Sequence, residues 1–536
     1  MDAVALEQLP EPARCFVATL RQTIGSLQQN LSSLQQENTL LRQKIDCLIK
    51  KYFGGQKSEA IDPKQLELLL AGLAQAVLST PAPAAPAAAH SRPATERKKA
   101  LRQPLPAHLP VERVVLEPEE VKDQPQAWKQ IGAEITEELD WQPAQFIKRL
   151  YIRPKYVRRQ EPASPSAQLV GEAIQTIYAA SEAVVVIAPL PSRLIEKGLP
   201  GAGLLAQVII SKYEDHLPLY RQEKIYRQRH GVKLARATLA EWVEHVALWL
   251  RPVYEAMKGS LLRANYLQVD ETPIRYLDPD LPGKSHLGYL WTYSRPGGEV
   301  IFDWQTSRGQ AGPAALLKAF GGLLQTDGYN VYESLARGRR DWTLIGCWAH
   351  ARRKFVEALG EDWRAGWVVR QLGHLYALEK GLRQVRAGPR LREAMRTCEA
   401  APVLRRLHTM LTKWQERVLP QSLVGKAITY ALERWEQLTR YVQHGIAEID
   451  NNLVENAIRP TAVGKKNFLF IGHPEAGWRS AVIYSVLGSC RRLGVDPHEY
   501  LRDILRRLPE MKMSQIESIT PAAWAKTRKA ASPKRN

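Results

Sequence analysis

Between Val17 and Leu48 apolar side chains return in alternating steps of three and four. Val17, Ile24, Leu31 and Ile45 occupy one position of a seven-residue repeat, and Leu20, Leu27, Leu34, Leu41 and Leu48 occupy another. The exception in this seam is Asn38. Leucine throughout one position and mostly branched residues at the other predict a parallel two-stranded coiled coil, with the lone asparagine fixing register. Gly25 weakens that helix by about 1 kcal/mol relative to alanine, and one long helix of an intramolecular bundle is the competing reading. A second helical stretch, KQLELLLAGLAQAVL, completes a dimerisation region over 1–78. The periodicity then stops: residues 79–108 are rich in Pro and Ala, carry Arg97, Lys98, Lys99 and Arg102, and read as a linker.

Extended segments VERVVLEP and FIKRLYIRPKYVRR mark a small module, 109–165. Its Arg149, Arg153, Lys155, Arg158 and Arg159 form either a DNA-facing strand or a solvated basic face. Helical spacing resumes over 166–262. Leu204, Val208, Ile209 and Tyr213 make one face, Pro218 breaks it, a second helix ends at Gly231, and a third begins near Thr238 with Leu239, Trp242, Val243, Val246 and Leu250 inward. Short helices joined by a glycine turn predict a helix-turn-helix-like domain, with Arg227, Arg229, Lys233, Arg236 and Thr238 as DNA contacts. An ordinary helical hairpin is the alternative.

The period next changes to that of strands. YLQVDET, HLGYLWTYSR, GEVIFDWQTS, GLLQTDGYNV and WTLIGCWA predict five strands, with a hairpin at RPGG and a helix at GPAALLKAF. A three-strand meander, a helix, then two strands is the order of an RNase H-like α/β core, placed here at 263–359. Residues 360–444 read as helical throughout, with Trp363, Trp367, Trp414 and Trp435 interspersed, and form an insertion. The core resumes over 445–510, and 511–536 ends in the basic tail KTRKAASPKRN, read as disordered. The expected fold class is therefore multidomain α and α/β.

Charge narrows the partners. The chain has 536 residues, with 75 Lys and Arg against 55 Asp and Glu, a net charge of +20. That excess favours a polyanion, because each cation that meets a phosphate releases condensed counterions. No signal peptide and no run of about 18 apolar residues is present. Five scattered cysteines argue against a disulfide framework and fit a reducing cytoplasm. The expected location is cytoplasmic and nucleoid-associated.

Three acids carry the candidate chemistry: Asp270 in YLQVDETP, Asp327 in LLQTDGYN and Glu455 in IDNNLVENAIRP. The first two end apolar strand-like runs and the third lies in a helical stretch, so they are placed to converge on hard cations. A pair of such ions, roughly 3.5–4 Å apart, clamps the attacking and leaving oxygens of an in-line phosphoryl displacement. Glu271 rivals Asp270, but alternation on a strand turns the two to opposite sides. Asp450 is expected to cap the third acid's helix and Pro460 to keep it short, with Asn452, Glu455 and Arg459 on one face. His350 in CWAHARRKF either neighbours the reacting phosphate or serves as a cap or packing residue. Arg352, Arg353 and Lys354 open a helix where phosphate is favoured, and Lys465 and Lys466 in VGKKNFLF are further candidate backbone contacts.

With KYFGGQKSE, DHLPLYRQE, TLAEWV, VDETP, TDGY, GCWAHARRKF, IDNNLVENAIRP and VGKKNFLFIG, the chain resembles the insertion sequence 66 family of DDE transposases over nearly its whole length. The resemblance implies an RNase H-like catalytic domain with a helical insertion. It also implies two Mg2+ ions, with Mn2+ as a substitute, held by Asp270, Asp327 and Glu455, and metal-dependent cleavage and strand transfer at the ends of a bacterial mobile element. The implied partners are double-stranded DNA at element ends and target, a second copy of the chain or more, and accessory proteins of the same element; no membrane is involved. Relatives carry paired zinc-binding cysteines in the small module, whereas no cysteine lies between Cys47 and Cys347 here, which argues against zinc. A dimeric DNA-binding protein that has lost its chemistry, and a plain nuclease or junction resolvase, stand as alternatives.

Overall fold

The computed structural model describes residues 104–142, 145–159, 185–196 and 198–531. The heptad seam, with its predicted dimer contacts from Leu20 to Leu48, lies outside the described residues, as does most of the linker.

The small module is a sheet. Strand β1 (Val111–Val115) pairs in parallel with β3 (Gln145–Arg158), which forms a long antiparallel hairpin with β2 (Trp128–Gln142). Strand β4 (Val185–Ile187) joins the same edge of β3 as β1, so this sheet extends past residue 165. The arginines of β3 face the acids of β2. Cross-strand neighbours Arg149 and Glu138 bond at 2.7 Å, Arg149 also reaches Asp140 at 2.8 Å, and Arg153 meets Glu134 at 2.6 Å. Opposite-charge cross-strand pairs of this kind stabilise a sheet by roughly 0.2–1 kcal/mol each. The acids of β2 therefore absorb much of the basic run's charge within the module. Asp140 also accepts from the Leu204 N–H at 2.9 Å, tying the module to the helix that follows.

That helix, α1 (Ala202–Tyr213), is followed by α2 (Leu219–His230) and α3 (Arg236–Leu262). Gly231, at φ 67°, closes α2 in the left-handed conformation that glycine adopts without strain. The third helix starts at Arg236, two residues before the expected Thr238, and runs 27 residues. It buries Leu239, Trp242, Val246, Leu250, Val253, Met257 and Leu261 along one face.

The second sheet has the order β7-β6-β5-β8-β9. Strands β5 (Tyr266–Leu277), β6 (Ser285–Ser294) and β7 (Val300–Gln305) form an antiparallel meander, and β8 (Gly322–Gln325) and β9 (Trp342–Ile345) continue in parallel beyond β5. All five expected strands are present. A sixth, β10 (Phe470–Ile471), pairs with the far end of β5. The free edge of β7 is closed by side chains: Val300 and Phe302 donate their N–H groups to the Ser489 and Ser485 hydroxyls at 2.9 and 2.8 Å. Both serines lie on a helix introduced below, and covering the edge in this way removes a template for unwanted strand pairing.

After β9 the chain enters α4 (Trp348–Glu357) and then a helical excursion through α5 (Trp363–Gln384), α6 (Ala401–Gln415) and α7 (Leu423–Glu433). This insertion has a core of its own. Leu372, Leu407, Leu411 and Ile428 are fully buried there, each contributing roughly 1.5–3 kcal/mol over exposure. The chain returns as α8 (Asn452–Phe468), α9 (Gly477–Arg492), which carries the two serines, and α10 (Pro497–Arg507).

Three expectations fail here. Helix α8 does not stop at Arg459 but continues through Pro460 for 17 residues in all. An interior proline costs about 3 kcal/mol; the burial of Val454, Ile458 and Thr461 on the same face offsets it, and the Thr461 hydroxyl donates to the Ile458 carbonyl at 2.7 Å. The cap residue is Asn451 rather than Asp450, although Asp450 still accepts from the Asn452 N–H at 3.2 Å. The basic tail is also not wholly irregular, because Pro521–Ala531 is helical. Trp524 secures that helix, its indole N–H donating to Asp503 at 2.8 Å and its ring lying edge-on to Tyr500.

Candidate active site

Asp270 lies midway along β5, and Asp327 follows the end of β8. The two strands are parallel neighbours with Gln268 opposite Gln325. Each aspartate stands two residues beyond that pair, which places the two carboxylates side by side at adjacent strands. Asp327 is fixed by a tight turn: its carboxylate accepts from the Tyr329 N–H at 2.9 Å, its carbonyl accepts from the Tyr430 hydroxyl at 2.8 Å, and Gly328 turns the chain at φ 92°. A side chain at Gly328 would also run into the Arg434 guanidinium. Glu455 comes from the first turn of α8, which packs against β5 and β6.

The electrostatics bring the trio together. Burial first, then the charges of Asp327, Glu271 and Glu455, push Asp270 up to about 8, against a single lowering contact from the Glu271 N–H at 2.8 Å. Glu271 is diverted: its carboxylate accepts from Arg308 Nε at 2.8 Å, and Arg308 lies 4.0 Å from the Tyr329 ring centre. It remains close enough to Asp327 for that charge to raise it further, after burial. Asp270 and Glu271 thus have different partners, as strand alternation requires.

His350, one turn into α4, faces the third acid. Its Nδ1 lies 3.7 Å from Glu455 Oε1, and neither atom has a hydrogen-bond partner although both are buried. Burial lowers the imidazole's pKa, while Glu455 and Asp327 pull it upward, so His350 stands within reach of two of the three acids. Arg353, on the exposed side of α4, lies 3.7 Å from Glu455 Oε2. Cys347 also offers its sulfur to the His350 and Glu455 group, all within 4.8 Å. Burial pushes that thiol up to about 12, and it donates to Asn451 Oδ1 at 2.9 Å.

The other predicted contacts separate into distinct places. Asn452 turns its amide to Asp450 at 2.8 Å and lines a cleft of about 450 Å³ with Arg352, Arg353 and Tyr376, rather than joining the carboxylates. Lys354 stacks over the Tyr430 ring at 4.8 Å. Arg459 and Lys466 are exposed on α8; Arg227, Arg229, Lys233 and Arg236 are exposed around the α2–α3 turn, with Thr238 half-buried in the first turn of α3. Lys465 is engaged within the protein. Its ammonium donates to the Thr272 hydroxyl at 3.2 Å and the Pro273 carbonyl at 2.9 Å, pinning α8 to β5 just beyond Asp270. Lys465→Met is therefore expected to lower the unfolding free energy by about 1–2 kcal/mol, read from the urea midpoint, with DNA binding within twofold of the parent.

Several residues around the trio escaped the sequence reading: Arg308, Tyr430, the fully buried Tyr332, near enough to feel the aspartates' charge, and the buried pair Gln268 and Gln325. A signal for the last two was present in the repeated Leu-Gln-x-Asp of β5 and β8.

No helix among the described residues is long and apolar enough to cross a membrane. A family model described as "Transposase IS66 family" matches residues 197–479. "Transposase C of IS166 homeodomain" matches 40–114, and "IS66 C-terminal element" matches 485–522. Among curated proteins, the uncharacterized protein y4jD of Sinorhizobium fredii (strain NBRC 101917 / NGR234) is 32% identical over 439 residues, covering 78% of this chain and 81% of its own length. The uncharacterized protein y4qI of the same organism is 34% identical over 438 residues, covering 78% and 77%. A third, y4hP, is 29% identical over 507 residues, covering 89% and 87%. The match over 197–479 takes in Asp270, Asp327 and Glu455 together with the strands and helices that place them, and the chain belongs to the IS66 family of transposases.

Proposed function

We propose that the chain is an active DDE transposase that cuts DNA at the ends of its own insertion sequence and joins the freed 3′ ends to target DNA, with an RNase H-like catalytic core. The observation that carries this reading is the placement of Asp270 and Asp327 at paired parallel strands, each two residues beyond the Gln268–Gln325 pair, with Glu455 close enough for its charge to be felt. Burial, then the charges of Asp327, Glu271 and Glu455, push Asp270 up to about 8. Three acids assembled at this cost suit a cation-binding role, since a bound cation turns their repulsion into attraction. The strand order, a meander followed by two parallel strands beside its first strand, supports the RNase H-like assignment.

Asp270, Asp327 and Glu455 would hold divalent cations, with Mg2+ the expected ion and Mn2+ a substitute. The partnerless Glu455 Oε1 and the hard, all-oxygen donor set fit them. When bound, such ions lower the pKa of water and stabilise charge on the phosphate oxygens. The chain's own groups do the rest. His350, kept neutral by its burial, can accept or donate a hydrogen bond at the reacting phosphate. Arg353, exposed beside Glu455, offers a guanidinium to the DNA backbone. Arg459 and Lys466 extend that positive surface along α8, and the arginines and lysine of the α2–α3 turn offer a second one. Pairing through the heptads of 1–78 would bring two DNA ends together, as joining requires.

The test is a joining assay. Purified protein, with and without the proteins encoded beside it, is incubated with Mg2+, a duplex carrying the DNA that flanks the coding region and labelled at the 5′ end of the strand whose 3′ end is to be freed, and a second unlabelled duplex. Transfer of label to the second duplex is expected. Cutting without transfer would identify a nuclease, and binding without cutting a DNA-binding protein that has lost its chemistry.

A further inference from the structure

The sequence Leu-Gln-x-Asp occurs at Leu267–Asp270 and again at Leu324–Asp327, and the two glutamines lie opposite each other on adjacent parallel strands. Both are fully buried. A buried primary amide is costly unless its hydrogen bonds are met. These two meet most of theirs at a shared place, and Gln268 Oε1 alone is left without a partner. Gln268 Nε2 donates to Gln325 Oε1 at 2.9 Å, to the Tyr266 hydroxyl at 3.0 Å and to the Asp450 carbonyl at 2.9 Å. Gln325 Nε2 donates to the carbonyls of Glu448 at 2.9 Å and Gly346 at 3.1 Å. The Tyr266 hydroxyl donates to Gln325 Oε1 and accepts from the Glu448 N–H at 3.0 Å.

The backbone held in this way is the segment that leads into α8 and Glu455. It is gripped from its other side too. The fully buried Arg396 pairs with Glu379 at 2.7 Å and donates to the carbonyls of Tyr441, His444 and Ala447 at 2.8, 3.0 and 2.9 Å. The Glu448 carboxylate is held by Arg383 and Arg392, each at 3.0 Å. Residues 441–450 thus form a strap stretched between the insertion and the two aspartate strands. On the sheet side its fastening is the glutamine pair with Tyr266.

We propose that Gln268 and Gln325 are positioning residues for catalysis: they fix the strap that launches the Glu455 helix against the two strands that carry Asp270 and Asp327, and so set how far the third carboxylate stands from the first two. Alternation along β5 puts Gln268 on the same face as Asp270. A shift of the strap at Asp450 moves Glu455, five residues on, while leaving the aspartates in place. This inference rests on the reading of the three acids as the metal-holding trio.

The test replaces Gln268 by methionine, which keeps volume and removes the amide. End cleavage by Gln268→Met is expected to fall at least tenfold and the half-saturating Mg2+ concentration to rise at least fivefold, with DNA binding unchanged. Excess Mn2+ should recover part of the loss, a recovery that a merely unstable protein would not show. Tyr266→Phe, which removes one hydroxyl of the same network, is expected to raise half-saturating Mg2+ about threefold, and it decides the matter if the methionine variant does not fold. Leu411→Ala in the insertion core serves as a control for lost stability and should leave metal dependence unaltered. Unchanged metal dependence in both network variants, or an equal shift in the control, would overturn the proposal. If Asp270→Asn cleaves normally in the same assay, it is the trio that fails and not the clamp.

Discussion

Asp270→Asn, Asp327→Asn and Glu455→Gln are each expected to lower cleavage of an end-containing duplex by about a thousandfold, since ligand loss removes several kcal/mol of metal-derived charge stabilisation. Each amide matches its acid in size, so folding and DNA binding should survive, and binding measured beside cleavage separates chemistry from assembly. Glu271→Gln is the informative comparison. Its carboxylate is committed to Arg308 at 2.8 Å, so that variant should cut within about tenfold of the parent. Normal cutting by any one of the three amides removes that residue from the trio, and loss of cutting in Glu271→Gln would return Glu271 to contention as a ligand.

The second large effect is on pH. Without metal, burial and the charges of Asp327, Glu271 and Glu455 hold Asp270 near 8, so at pH 7 the carboxyl is mostly protonated and must release that proton to bind a cation. Metal affinity is therefore expected to rise about tenfold per pH unit between roughly pH 6 and 8 and to level off above, close to a hundredfold in all. Calorimetry in buffers of different ionisation enthalpy should find close to one proton released per binding event at pH 7. Release near zero would show that the acids do not crowd one another. The same shift affects stability. The folded pKa lies above the unfolded one near 3.8, so Asp270's contribution is fully present below about pH 4 and is lost as pH rises through 8. Metal-free protein should accordingly melt lower at pH 9 than at pH 6, and added Mg2+ should narrow that gap.

The strands and the acids were legible because their signals are local. Apolar alternation marks β5 to β9, and an acid closing such a run stands out without knowledge of its neighbours. Other features depended on tertiary partners. Pro460 reads as a helix terminator in isolation, yet α8 passes through it because Val454, Ile458 and Lys465 secure the helix on both sides. KTRKAASPKRN reads as a polar tail, yet its first half is helical because Trp524, just upstream, finds Asp503 and Tyr500. The arginines of β3 read equally as a DNA-facing strand or a solvated basic face until pairing register sets Glu138 and Glu134 opposite Arg149 and Arg153. Gln268 and Gln325 looked like ordinary polar residues in apolar strands, because only the pairing of β5 with β8 shows that they meet.

The long excursion between the second and third acids also sets an order of events in time. Residues 327 and 455 are separated by 128 positions, against 57 between 270 and 327. Doubling a closing loop adds only about 0.6 kcal/mol of entropy, so the delay matters more than the equilibrium. At 5–20 residues per second, synthesis takes about 6–26 s to pass from one acid to the other. Throughout that interval a growing chain carries two aspartates and lacks its third carboxylate. If the three acids form the proposed cutting site, an interrupted or truncated chain that ends within the insertion is born without the means to break DNA.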